Sequence, residues 1–322
     1  MSRALLAALV AALALSPAVG QGQAYPTRPI TFVVPATPGS GPDVVARTFG
    51  QKLSQRVGQP VVVDNKPGAS GNIGAGLVAK APPDGYTLMV TINNFVITPA
   101  LYKSLPYDPI ADFSTISRLA IGNLALVANP RVLPVQTLKD LATQARANPG
   151  KLNYGSPGNG SPIHLAVELL KQKLALDIVH VPYKSMGGFM NDLLGGQVQL
   201  SIIPVHTALP HAKAGKLNVL AVSGENRSAL APDLPSFGEL GLKNVDIELY
   251  YWIAAPAGTP RDIVQKLNQE AVAILAMPDV RESLVKQGLV PSSSTPEAIA
   301  ATVKADVSRW KTFVDEAKIS AD

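Results

Sequence analysis

Apolar and polar positions change rhythm repeatedly along the chain, and the rhythm predicts its elements. Ile30 to Val34 is apolar on both faces, as in a buried strand. Val44, Val45, Thr48, Phe49, Leu53 and Val57 then recur at helical spacing, with Arg47, Gln51, Lys52 and Gln55 between them, which predicts an amphipathic helix. Val61 to Val63 reads as a short strand. A Gly-rich stretch and a helix to about Lys80 follow. Pro83-Asp84-Gly85 is a turn signal before a strand from Tyr86 to Thr91. This β-α-β-α-β order implies a parallel sheet with helices on its faces.

The rhythm then repeats. Leu124 to Ala128 predicts a strand, Leu138 to Ala147 a helix and Leu152 to Tyr154 a strand. The loop GSPGNGS leads into a helix from Pro162. Ile178 to Val181, Val198 to Ile203 and Leu217 to Val222 are further strands with helices between. The C-terminal part is helical. Thr259-Pro260 and Ser294-Thr295-Pro296-Glu297 each set a capping residue before a proline that starts a helix. Ile299, Val303, Val307, Trp310 and Val314 share one helical face, so Trp310 belongs to the core rather than to a ligand platform. Two α/β units in tandem result, each opening on a strand, a loop and a helix.

The first residues have a rhythm of their own. Arg3 precedes an unbroken apolar run from Ala4 to Leu15, and Ala18-x-Gly20 and Gly22-x-Ala24 are small-residue cleavage sites. That is the layout of a secretory signal peptide over residues 1–24; the run is shorter than the ~20 residues a membrane span needs. An exported protein retained in the periplasm is expected. Cleavage leaves about 300 residues, ample for two domains. There is no cysteine, so an exported chain must rely on its core rather than on disulfides, and it has no residue for an N-terminal lipid.

Charge and aromatic content remove other classes. The net charge is +5, the basic residues are scattered, and aromatics are only 5%, so no nucleic-acid partner is expected. A P-loop requires Lys after its glycines, and none follows Gly39-Ser40-Gly41. The dinucleotide fingerprint requires a third Gly where Val44 stands, and Pro42 removes an amide. GASGNIG, Gly68 to Gly74, fails the same templates, and tight strand-to-helix geometry explains its glycines. No G-x-S-x-G elbow occurs, although a dispersed Ser/His/Asp triad stays open. The four histidines, His164, His180, His206 and His211, form no metal motif, and His164 reads as a structural residue early in a helix. No cofactor and no metal are expected.

What remains is two loops, Thr37 to Asp43 and Ser156 to Ser161, each at a helix N-terminus. They offer backbone N–H groups and the hydroxyls of Thr37, Ser40, Ser156 and Ser161. A helix N-terminus favours anions by ~0.3–1 kcal/mol. If the two domains face each other, the loops suit a small carboxylate held from both sides, with no catalytic residue.

In order and spacing, the motifs YPTRPITFVVP, GPDVVAR, VVVDNKPGASGNIGA, PDGYTL, LPYDPIADF, HVPYK, DLLGGQV, AGKLNVLAVS and APAGTP, with the late Trp310, resemble the Bug-type solute-binding receptors of tripartite tricarboxylate transporters. The resemblance covers essentially the whole mature chain. It implies a type II periplasmic-binding-protein fold: two domains, each a mainly parallel sheet flanked by helices, with the ligand cleft between. By resemblance, Thr37, Ser40, Gly41 and Asp43 of the first loop and Ser156, Asn159, Gly160 and Ser161 of the second bind the carboxylate. Asn93, Asn94 and Tyr183 line the cleft. Asp43 also has a structural reading, as an acid in the first turn of its helix. Ser40, Pro42, Ser185, MGGF and Pro204 to His206 depart from the family's usual residues, which leaves room for a ligand other than the familiar di- and tricarboxylates.

The resulting expectation is a non-enzymatic periplasmic receptor, a monomer, that captures a small organic acid for integral-membrane transporter subunits. Domain 1 would hold residues 25–122 plus 253–322 and domain 2 residues 123–252, with crossovers near Ala120 and Trp252 as the hinge. A ligand sensor presenting its closed form to a signalling partner, and an exported hydrolase, are the alternatives.

Overall fold

The computed structural model describes residues 25–242, 245, 248–317 and 319; the expected signal peptide, residues 1–24, lies outside them. The first unit opens with β1 (Ile30–Val34), α1 (Gly41–Val57), β2 (Val61–Asn65), α2 (Asn72–Ala79), β3 (Thr87–Ile92), α3 (Asn94–Leu101) and β4 (Phe113–Gly122). The second runs through β5 (Leu124–Ala128), α4 (Leu138–Ala147), β6 (Leu152–Ser156), α5 (Pro162–Leu174), β7 (Ile178–Pro182), α6 (Met186–Gly195), β8 (Leu200–Pro204), α7 (Val205–Lys213) and β9 (Asn218–Val222). The chain then returns with β10 (Leu249–Pro256), α8 (Arg261–Leu275), α9 (Pro278–Lys286), β11 (Val290–Pro291) and α10 (Pro296–Ala317).

Two sheets form, in the orders β11-β4-β10-β3-β1-β2 and β7-β6-β8-β5-β9. Both are mixed rather than mainly parallel. The parallel pairs are β1 with β2 and β3, and β6 with β7 and β8. These strands are joined by helical crossovers, which parallel pairing requires. Strands β4 and β10 carry the chain out of the first sheet and back, so they run in opposite directions and pair antiparallel. Strand β5 likewise runs antiparallel to β8 and β9.

The chain leaves the first sheet at Asn123, between β4 and β5. It re-enters before Leu249, whereas the sequence suggested a crossover near Trp252. Trp252 instead sits inside β10, opposite Thr91 on β3 and Arg118 on β4. Polar bonds tie the two crossings together. Asn123 Nδ2 donates to Ser223 O (3.2 Å) and to Glu248 Oε1 (2.9 Å), and Ser228 Oγ donates to Asn123 Oδ1 (2.7 Å).

One face of the first sheet packs Phe32, Leu88, Val90 and Ile253 against α1, α8 and α9. The other face begins a core that includes Phe95, Trp252 and Trp310 and continues to Leu126 and Tyr154 of the second sheet. Trp310 is 2% exposed, in the core as its spacing predicted. This shared core holds the C-terminal ends of β1 and β3 opposite those of β6 and β7, where the site lies.

Candidate functional site

A cavity of about 610 Å³ lies where those strand ends meet. Its wall draws on both sheets. Five helices begin at it: Ser40–Pro42 at α1, Gly71 at α2, Asn94–Phe95 at α3, Ser161–Pro162 at α5 and Met186 at α6 line it. The first-turn amides of a helix have no carbonyl four residues back to bond, and they carry the positive end of the helix dipole. Pro42 and Pro162 sit where a missing N–H costs the helix nothing.

No lining residue carries a charge; the wall combines Thr, Ser, Asn and Gly with Ala, Pro, Ile, Phe, Tyr and Met. Positive potential in the cavity therefore comes from backbone amides. The arrangement suits a compact anion joined to an apolar body.

Seven of the sequence-selected residues line the cavity: Thr37, Ser40, Gly41, Asn94, Asn159, Gly160 and Ser161. The Ser40 hydroxyl is buried and has no hydrogen-bond partner. Ser161 Oγ accepts the His164 amide (3.2 Å) as the cap of α5. Asn94 Nδ2 donates to Ser70 O (2.9 Å) and ties the α2 and α3 N-termini together.

Four others do not line the cavity, and each has a packing reason. Asp43 folds back into its own loop, where its Oδ2 accepts from Gly39 N (2.8 Å) and Arg47 Nε (3.0 Å). Burial alone would raise its pKa; the bonds from Arg47 and Gly39 outweigh burial and hold the carboxyl below its ordinary range. The structural reading of Asp43 is the one the geometry favours. Asn93 is buried, and its Nδ2 donates to Glu248 O (3.1 Å) at the return crossing. Tyr183 turns its hydroxyl to Asp192 on α6 (2.6 Å), and Met186 reaches the cavity in its place. Ser156 is fully buried and hydrogen-bonded to His180 Nε2 (2.7 Å).

That serine–histidine pair is part of a stack behind the second loop. The His180 ring lies 4.0 Å from His164 and 4.8 Å from Tyr154, centroid to centroid. His164 Nδ1 accepts the Gly160 N–H (2.9 Å), so His164 fixes the loop by an unprotonated nitrogen. Burial lowers its pKa, in keeping with that role. With Ser156 fully enclosed behind the wall, the pair presents no nucleophile to the cavity. Among the described residues no cluster of His, Asp and Glu is arranged for a metal ion.

The sequence reading missed Pro67, Gly68, Ser70 and Gly71, which form a third amide-bearing loop at the cavity. Their signal was present: GASGN precedes a helix just as the two chosen loops do. It also missed Thr91, Ile92, Phe95, Tyr107 and Tyr251. All but Tyr107, which sits in the loop before β4, lie in strands or apolar runs, where nothing local separates a lining residue from a core residue.

Comparison with known proteins bears on the same architecture. Residues 45–319 match the family model TctC, described as "Tripartite tricarboxylate transporter family receptor". Protein BugT of Bordetella pertussis is 34% identical over 294 residues, covering 91% of this chain and 90% of its own. A solved periplasmic transporter is 38% identical with a TM-score of 0.79, over 93% of this chain and 100% of its own. The R. palustris protein Rpa4515, solved with adipate, is 35% identical with a TM-score of 0.79, over 92% and 99%.

Proposed function

The chain belongs to the tripartite tricarboxylate transporter receptor family, a family of solute-binding receptors, and we propose that it captures a small organic carboxylate in the periplasm and presents it to integral-membrane transporter subunits. The observation that carries the ligand class is the convergence of five helix N-termini on a cavity without a charged side chain. At ~0.3–1 kcal/mol per terminus, they together favour an anion by about 1.5–5 kcal/mol. Micromolar affinity needs ~8 kcal/mol, so the apolar wall must supply the rest. Rpa4515 with adipate, a carboxylate, supports the same class. Among the described residues no helix is long and apolar enough to cross a membrane.

The division of labour follows the fold. Helices α1, α2 and α3 bring amides from the first sheet, and α5 and α6 bring theirs from the second. A ligand that bonds both sets at once stabilises the closed arrangement by its differential affinity. The crossings at Asn123 and before Leu249, tied through Glu248, serve as the hinge. The protein acts as a monomer that binds and releases without chemistry.

A thermal-shift and calorimetry series with adipate, malate, succinate and benzoate, each against its methyl ester, tests this. At a hundred times Kd an acid adds ~2.7 kcal/mol of stability, while the neutral ester adds far less. Equal binding of acid and ester, or no binding of any acid, would overturn the reading.

A further inference from the structure

Tyr251 reaches the cavity from β10, the strand that returns the chain from the second sheet. It is 6% exposed, and its ring lies against a helix start that carries no side chain. A Cβ on Gly41, at the start of α1, would stand 2.5 Å from the Tyr251 hydroxyl, 2.9 Å from Cε1 and 3.1 Å from Cζ. A Cβ on Gly122, at the end of β4, would stand 3.6 Å from Cε2. The β4–β10 register slips between Tyr251 and Trp252, an irregularity of the kind that re-aims a side chain. The phenol is thus wedged between the first turn of α1 and the strand that leaves the sheet.

Its hydroxyl has no protein partner among the described residues. Tyr107, which also lines the cavity, differs: its hydroxyl is committed to Asn72 Oδ1 (2.8 Å). The unpartnered Ser40 hydroxyl lies at the same helix start that Tyr251 covers. Buried polar groups are generally satisfied, and both residues line the cavity.

We propose that Tyr251 is a ligand-binding residue that determines specificity, donating its O–H to the anionic group of the ligand beside the first turn of α1. The inference rests on the carboxylate reading above. Burial raises the phenol's pKa to about 12, so it stays a donor throughout the neutral range. A hydroxyl donated to an ionised acceptor is a stronger and more selective contact than one donated to a neutral oxygen. Because β10 is also the return strand, the same contact couples the ligand to the crossing at Glu248.

The test is calorimetry of wild type and Tyr251→Phe with adipate, malate, succinate and benzoate, together with Tm of the unliganded proteins and a tyrosine ultraviolet difference spectrum on ligand addition. The variant keeps the wedged ring and loses only the hydroxyl. We expect about tenfold or greater loss of affinity for each acid that binds wild type, from the lost charge-assisted bond. An unchanged unliganded Tm and a ligand-induced tyrosine difference signal that the variant lacks complete the expectation. Undiminished affinity in Tyr251→Phe would overturn this inference and leave the carboxylate reading standing. A lowered unliganded Tm with unchanged affinity would show that the hydroxyl serves the fold, and would overturn it too. Failure of every acid to bind wild type would overturn both.

Discussion

Adding one methyl group at Gly41 tests whether the cavity depends on close approach. Gly41 has an ordinary backbone conformation, so alanine is strained there by its surroundings alone. The new Cβ would lie 2.5 Å from the Tyr251 hydroxyl and 2.9 Å from Cε1, and real Cβ atoms do not come within 3.0 Å. The ring is buried, so moving it aside disturbs its neighbours. Overpacking of this kind costs about 1–3 kcal/mol. Against it stands the better helix propensity of Ala, worth up to ~1 kcal/mol and less at a first helical position. The net expectation is a loss of about 1–2 kcal/mol, or roughly 2–3 °C in Tm for a protein of this size. Affinity for a carboxylate should fall as well, since the displaced phenol enters the cavity. The assay is a double-mutant cycle by thermal melts and calorimetry on Gly41→Ala, Tyr251→Ser and the pair. In the Tyr251→Ser background the added methyl has room, and its cost should drop to within about 0.5 kcal/mol of zero. An equal cost in both backgrounds would show that the wedge is not the reason, and an unchanged Tm and affinity in Gly41→Ala would refute the close approach itself.

Two further outcomes are expected. Gly160 adopts φ +70°, and a Cβ there would stand 2.5 Å from Leu101 Cδ1, so Gly160→Ala should lose about 1–2 kcal/mol from the left-handed conformation and weaken ligand binding in calorimetry; wild-type affinity and Tm would sink it. His180 is held neutral in the fold, its pKa lowered from 6.5 to about 4 first by burial and then by the neighbouring His164. The unfolded chain takes up the proton first as pH falls, so stability should decline from about pH 6.5 to about pH 4, and His180→Asn should flatten that part of the Tm–pH profile. Identical profiles would contradict it.

Much of the architecture was legible because it is local. Ile30–Val34, Leu124–Ala128 and Leu138–Ala147 are the elements their periodicity predicted, to the residue. The loops before α1 and α5 were legible as amide cradles because a helix start exposes N–H groups whatever the rest of the chain does. Strands β4 and β10 were not foreseen. FSTISRLAIG mixes polar and apolar residues without a clean period, and LYYWIAAP lies where a crossover was expected. Both owe their strand state to each other, from opposite ends of a long insertion.

The site divides along the same line. Backbone-based features follow from sequence: glycines, a capping serine, a proline at a helix start. Side-chain direction does not. Asp43, Asn93, Ser156 and Tyr183 have the right chemistry in the right segments, yet partners such as Arg47, Glu248, His180 and Asp192 turn them away from the cavity. Tyr251 does the reverse: an apolar-run residue far along the chain faces the cavity because Gly41 leaves space for its ring. Hydrophobic period, turn residues and helix starts act over a few neighbours, so the sequence alone determined the α/β units and the loops that open their helices. Which side chains line the cavity depends on how each is turned by its partners, some a few residues away, as Arg47 is from Asp43, and some more than a hundred, as Glu248 is from Asn93 and Tyr251 from Gly41; only the packed structure decided it.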